Sequence, residues 1–241
     1  MSQTETESGD RRVAFFGGSF DPPHLGHLAV ARATRAALGL DTVLFAPVGA
    51  QPLKPAGSTA GYEDRLAMTR LAVAGEPGFT VSLADAPKTT GAPNYTLETL
   101  ERMRAELPAG CGLYCLMGAD SLAGLREWHR AAEIPFVAPL IVASRPGQGL
   151  NNLQALLPAG LTMETAVCAE LPASEIEVRC YALVNASGQR TAFYLLPGLD
   201  VEISASQIRE SARTVDGGLG AGHALLPDAV SAYIRAHGLY R

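Results

Sequence analysis

A chain of 241 residues suits one globular domain, or one domain with an appended subdomain, because single hydrophobic cores stop growing near roughly 250 to 300 residues. Apolar residues make up 47% and charged residues 18%, which excludes a disordered polymer and a highly charged coiled coil. The formal net charge of -5, with no basic run longer than Arg11-Arg12, excludes a nucleic-acid binder, and no stretch offers the about eighteen unbroken apolar residues of a membrane span.

The opening MSQTETESGDRR is polar and acidic, lacks the apolar stretch of a secretory signal, and reads as a disordered tail over residues 1–11. Cys111, Cys115, Cys168 and Cys180 form neither a C-x-x-C pair nor a dense framework, so a reduced, cytoplasmic chain is expected. RVAFFGGSF is a short apolar strand stopped by Gly17-Gly18. HLGHLAVARATRAALGL follows as a helix, with Leu25, Leu28, Ala29, Arg32 and Ala36 at helical spacing and Gly39 as its left-handed stop. DTVLFAPVG is the next strand. GYEDRLAMTRLAVAG is a helix offering Leu66, Met68, Thr69, Leu71 and Ala72 to a core. FTVSLAD is a strand, TLETLERMRAELP a helix, CGLYCLMGAD a strand, SLAGLREWHRAAEI a helix and APLIVASRPG a strand.

Strands separated by helices of this length require right-handed crossovers, hence an α/β fold: a Rossmann-like doubly wound parallel sheet over residues 12–202. Residues 151–202 are less periodic, with EVRCYALV and TAFYLLPGLD as candidate strands. SASQIRESARTV and PDAVSAYIRAHGLY form a C-terminal helical subdomain, residues 203–241, read either as a cap on the sheet or as the carrier of a site element.

In such a sheet ligands bind at the carboxyl ends of the strands, near the point where strand order reverses. The loop after the first strand, GGSFDPPHLGH, is built for an anion. Gly17 and Gly18 bring backbone amides close, Ser19 adds a hydroxyl, and the next helix aims its positive end at the same place. The loop matches neither the P-loop nor the G-x-G-x-x-G fingerprint, which disfavours an NTPase and a dehydrogenase. His24 and His27 share one helical face; an isolated pair of this kind is also a common polar cap. No third ligand at metal spacing accompanies them.

These residues resemble the G-G-[ST]-F-D-P and H-x-G-H signature of the nucleotidyltransferases that adenylylate small phosphorylated molecules. That resemblance implies a second phosphate element near the C-terminus, and ISASQIRES, residues 203–211, is similar to the family's I-S-x-[ST]-x-[IV]-R motif. Taken singly, Ser204 or Ser206 is an ordinary N-cap and Arg209 a solvated side chain. Lys54, alone a solvated loop lysine, corresponds to the family's basic residue after the second strand, often preceded by His where this chain has Leu53.

RLAMTRLA, NYTLETL, GADSLAGLREWHR, ASRPG and LPDAVSAYIRAHGLY occur in the order that resembles the bacterial nicotinate-nucleotide adenylyltransferases, covering the chain from about Val13 to Tyr240. The resemblance implies ATP binding by Gly17, Gly18, Ser19, Phe20, His24, His27, Gly118, Asp120, Arg145, Ile203, Ser204, Ser206 and Arg209. It implies nicotinate-nucleotide binding by Ser19, Lys54, Tyr95, Thr96 and Trp128. Alone, Trp128 would be core packing; beside Tyr95 it can supply an aromatic face for a pyridine ring. His24, His27, Lys54 and Arg209 are the implied catalytic set, with Mg²⁺ held mainly through ATP phosphates. The implied partners are ATP and nicotinate mononucleotide, with no nucleic acid and no membrane; the oligomeric state is open, a homo-oligomer included. Three alternatives stand beside this reading: a nicotinamide-mononucleotide or other phosphate-ester adenylyltransferase, a nonenzymatic nucleotide sensor, and a dehydrogenase.

Overall fold

β1, Arg12–Gly18, buries Val13 through Phe16 on both faces, as expected of a central parallel strand. The computed structural model describes residues 11–53, 57–144, 152–168, 171–199, 203–214 (side chains through 211) and 224–241. Residues 1–10 of the expected tail lie outside these. Arg11 is already tied to the sheet, its carbonyl accepting from the Gly112 N–H at 2.7 Å.

From β1 the chain runs through α1, Leu25–Leu38, to β2, Thr42–Pro47, then α2, Tyr62–Val73, and β3, Phe79–Val81. It continues through α3, Thr96–Glu106, β4, Gly112–Gly118, α4, Ala119–Ala123, α5, Ile134–Val137, and β5, Leu140–Ala143. Beyond lie α6, Leu153–Leu156, β6, Thr162–Thr165, β7, Arg179–Val184, and β8, Arg190–Leu196. The helices α7, Ala205–Thr214, and α8, Asp228–His237, follow. The sheet order is β3-β2-β1-β4-β5-β8-β7-β6. Pairing is parallel from β3 to β8, and β7 and β6 extend the sheet antiparallel. This is the expected Rossmann-like α/β fold, with β8 in the sixth parallel place.

The segment 151–202 therefore supplies an antiparallel meander, and both candidate strands form within it. Its β7–β8 turn is fastened by Asn185, whose Oδ1 accepts from the N–H groups of Ser187 and Gln189. β6 pairs with β7 so that Ala166 N–H reaches the Cys180 carbonyl. That pairing brings Cys168 to Cys180, which form a disulfide with Cα atoms 5.2 Å apart. The expectation of a wholly reduced chain is corrected here: the spacing looked arbitrary because a hairpin, not a motif, sets it. Cys111 and Cys115 are buried free thiols, and burial pushes that of Cys115 up to about 12.

The buried face of α1 is Leu28, Ala31, Thr34, Ala37 and Leu38; Arg32 and Ala36 point outward, and Arg32 pairs with Glu76. Two local readings are also corrected. FTVSLAD is extended only over β3, because the chain then turns and the Asp85 carbonyl accepts from Gly49 N–H. SLAGLREWHRAAEI is not one helix but α4, a 3-10 turn at Leu125–Glu127 and the start of α5. Gly124 ends α4, Arg130 has a left-handed φ of 50°, and Pro135 opens α5 rather than continuing a helix.

Helices cover both faces of the sheet. One core joins Phe15, Leu113 and Leu140 to α3, α4 and α5; another joins Phe16, Phe45 and Ile141 to α1. A third cluster lies between α2 and the C-terminal helices, where Met68 and Ala72 meet Ile208, Val230, Ile234 and Tyr240. Among the described residues no helix is long and apolar enough to cross a membrane.

Candidate active site

The strand order reverses between β1 and β4, and both strands end in glycine there. Gly18 and Gly118 each lie two residues past the paired Phe16 and Leu116. Among the described residues, a Cβ on Gly118 would have nothing within 4 Å. The glycines of the first loop answer first to its own rings: a Cβ on Gly17 would stand 2.7 Å from the Phe15 ring and one on Gly18 3.3 Å from that of Phe20. Phe20 itself is buried with a left-handed φ of 47°, a conformation that persists only where surrounding contacts over-determine it.

Those contacts converge on Ser19, Phe20 and Asp21. The buried Arg65 of α2 donates to the carbonyls of Ser19 at 2.7 Å, Val48 at 2.9 Å and Ala60 at 3.2 Å. Burial lowers its guanidinium pKa, opposed by the charge of Asp21. The buried Asp21 carboxylate accepts from the Thr59 and Ala60 N–H groups at 2.6 and 3.1 Å and from the Tyr240 hydroxyl at 2.7 Å. Sequence reasoning passed over Asp21 and Arg65 as site-builders, although Asp21 lies inside the quoted signature.

His24 caps α1 and His27 lies one turn inside it. Their rings stack at 3.7 Å, and the His24 N–H donates to His27 Nδ1 at 3.2 Å. Phe16 and Phe20 meet the His27 ring edge-on. Arg209 reaches this loop from α7, donating through Nη1 to the Asp21 carbonyl at 2.7 Å and through Nη2 to Ser206 Oγ at 3.1 Å. Ser204 caps α7: its Oγ accepts from the Gln207 N–H at 3.2 Å, while Gln207 Oε1 accepts from the Ser204 N–H. Ile203, just ahead, packs on the third cluster.

Ser19 Oγ donates to Gln51 Oε1 at 3.2 Å, which links the first loop to the segment after β2. That segment in turn holds the start of α3: the buried Asn94 accepts from Ala50 N–H and donates to the Ala86 carbonyl at 2.9 Å. Tyr95 and Thr96 follow directly and are half-buried. The ring against Tyr95 is that of His129, at 4.5 Å, with the Lys88 ammonium 5.8 Å from the Tyr95 centroid. Trp128 is half-buried on the first core, and the exposed Asp120 occupies the first turn of α4. His129 was not singled out from sequence; its place beside Trp128 was the available signal. Below this platform Thr99 Oγ1 donates to the buried Asp85 carboxylate at 2.8 Å, and burial raises the Asp85 pKa. Lys54 and Arg145 lie outside the described residues.

A parallel sheet with two anion-type motifs meeting at its switch point defines a nucleotide-handling α/β protein. The profile of the cytidylyltransferase-like family matches residues 15–211. The chain is 42% identical over 230 residues to a probable nicotinate-nucleotide adenylyltransferase of Laribacter hongkongensis, covering 95% of this chain and 94% of that one. It is 37% identical over 229 residues to the same-named protein of Gloeobacter violaceus, covering 95% and 96%. The fold is similar to that of Plasmodium falciparum nicotinic acid mononucleotide adenylyltransferase, solved with NaAD, at a TM-score of 0.66 and 14% identity over 95% and 97% of the two chains. This chain belongs to the cytidylyltransferase-like family and, within it, to the nicotinate-nucleotide adenylyltransferases.

Proposed function

We infer that the chain transfers the adenylyl group of ATP to nicotinate mononucleotide, releasing pyrophosphate and forming deamido-NAD in NAD biosynthesis. The observation that carries this reading is the contact of Arg209 with the Asp21 carbonyl, which joins the two motifs. The acceptor phosphate attacks the α-phosphorus of ATP and pyrophosphate leaves. A phosphate monoester, with its second pKa at about 6, is already the nucleophile near neutral pH, so no catalytic base is needed. The work left to the protein is alignment and charge stabilisation.

In this reading His24, His27, Lys54 and Arg209 face the triphosphate and the charge developing on pyrophosphate. The amides of Gly17, Gly18, Ser19 and Phe20 and the N-terminus of α1 add fixed dipoles. Ile203, Ser204 and Ser206 complete the second motif, and Gly118, Asp120 and Arg145 take the rest of the ATP. Tyr95, Thr96 and Trp128 take the pyridine nucleotide. Mg²⁺ supplies further charge neutralisation when it enters with the ATP phosphates. The cytoplasm is the compartment we assign.

The test is pyrophosphate release with ATP and either nicotinate or nicotinamide mononucleotide, for the wild type and His27→Ala. Nicotinate mononucleotide should give the higher kcat/KM, and His27→Ala should lower turnover by about 10²-fold while staying folded. Preference for the amide would transfer the assignment to the sister reaction. No release with either acceptor would favour a nucleotide sensor.

A further inference from the structure

Just beyond the last helix lies a contact that the reaction described above does not use. Tyr240 lies buried among Met68, Ile208, Val230 and Ile234, and its hydroxyl crosses 219 residues of sequence to donate to Asp21 Oδ1 at 2.7 Å. The same aspartate is gripped by the Thr59 and Ala60 N–H groups, and its carbonyl accepts from Arg209. Phe20, one residue earlier, is in the left-handed region, and His24 follows three residues later. Asp21 is thus where the C-terminal helix, the second motif and the first loop meet.

We propose that Tyr240 is a positioning residue for adenylyl transfer, its hydroxyl holding Asp21 so that the Ser19–Phe20–Asp21 turn presents His24, His27 and Arg209 to the triphosphate. The proposal rests on the function inferred above. Two features separate this contact from ordinary packing. The ring alone would fill the space in the third cluster, so the hydroxyl is an added, directional element. It is also aimed at the first-motif residue whose carbonyl Arg209 of the second motif holds. Burial, then the charge of Asp21, raises the phenol above its ordinary range, which keeps the hydroxyl a donor throughout neutral and moderately alkaline pH. A turn with a non-glycine residue at positive φ relaxes when a restraint is lost, and a small displacement of catalytic groups is enough to cost turnover.

Tyr240→Phe removes the hydroxyl and keeps the ring. In the wild type and this variant, kcat, the KM for each substrate, the Kd for ATP and the unfolding temperature would be measured, with kinetics taken well below unfolding. The expected result is a fall of about tenfold in kcat/KM for ATP, a weaker ATP Kd and an unchanged KM for nicotinate mononucleotide. Asp21→Asn and the double variant complete a cycle in which the double variant loses little more than Asp21→Asn alone. A Tyr240→Phe protein with a lower unfolding temperature but wild-type kinetics and ATP affinity would make the contact merely structural and overturn the proposal, as would fully additive losses. Should Asp21→Asn fail to fold, Tyr240→Phe alone decides. If the wild type binds ATP yet releases no pyrophosphate, the functional reading fails while the ATP Kd still judges Tyr240. A wild type that binds no ATP sinks both.

Discussion

The Ser19–Asp21 turn is held by residues remote in sequence, with Arg65, Thr59, Ala60, Arg209 and Tyr240 all bonded to it. The proposed acceptor side is anchored differently. Asn94 and Asp85 pin its base, while Tyr95, Thr96, Trp128 and His129 sit half-buried or exposed above them, and Tyr95 is met by the His129 ring and Lys88. The difference suits the roles proposed for them: a triphosphate is best met by dipoles fixed before it arrives, whereas a flat aromatic ring can be met by side chains that adjust on binding.

The largest effect should come from breaking the braced side. Arg65→Met leaves the carbonyls of Ser19, Val48 and Ala60 without their donor, a loss of roughly 3 kcal/mol or more. In a chain of this size that lowers the unfolding temperature by about 6 to 12 °C, readable by calorimetry; a shift within about 1 °C would show that the brace is dispensable.

A smaller and more selective change is expected on the acceptor side. Trp128→Ala should raise the KM for nicotinate mononucleotide by about five- to tenfold while leaving the ATP Kd within about twofold. Steady-state kinetics in both substrates would check it, and equal losses for the two would mean that Trp128 serves the core instead.

The smallest effect is a pH dependence at the base of that platform. Burial raises the folded-state pKa of Asp85 above its ordinary 3.8, opposed by the Thr99 hydrogen bond. The folded protein therefore holds this proton more tightly than the unfolded chain. The associated stability is fully present below the ordinary carboxylate range and is lost as pH rises through the raised value. Asp85→Asn lacks this slope, so its unfolding temperature should gain on that of the wild type as pH rises from about 4 towards neutrality. Parallel melting curves across that range would sink the reading.

Much of this could be read before any coordinates. The strand and helix alternation came from apolar runs and glycine stops, and it succeeded for β1, α1, β2, α2, α3, β4 and β5 because those signals act over a few residues. It failed at SLAGLREWHRAAEI, where Gly124 and Pro135 outweighed an apparent helical period. The loop histidines and Arg209 were visible as motifs. Asp21, Arg65 and His129 were not singled out, since a carboxylate that binds backbone amides and an arginine that binds carbonyls leave no periodic mark.

The sequence by itself determined the α/β class, the two phosphate-type motifs and the family, because backbone preference, hydrophobic period and motif chemistry are written within short windows. Only the tertiary structure decided that β8 lies beside β5, that Cys168 meets Cys180, and that Arg209 and Tyr240 both end on Asp21. The two contacts on Asp21 span 188 and 219 residues and exist because α7 and α8 bury their apolar faces against α2, an outcome no local signal specifies.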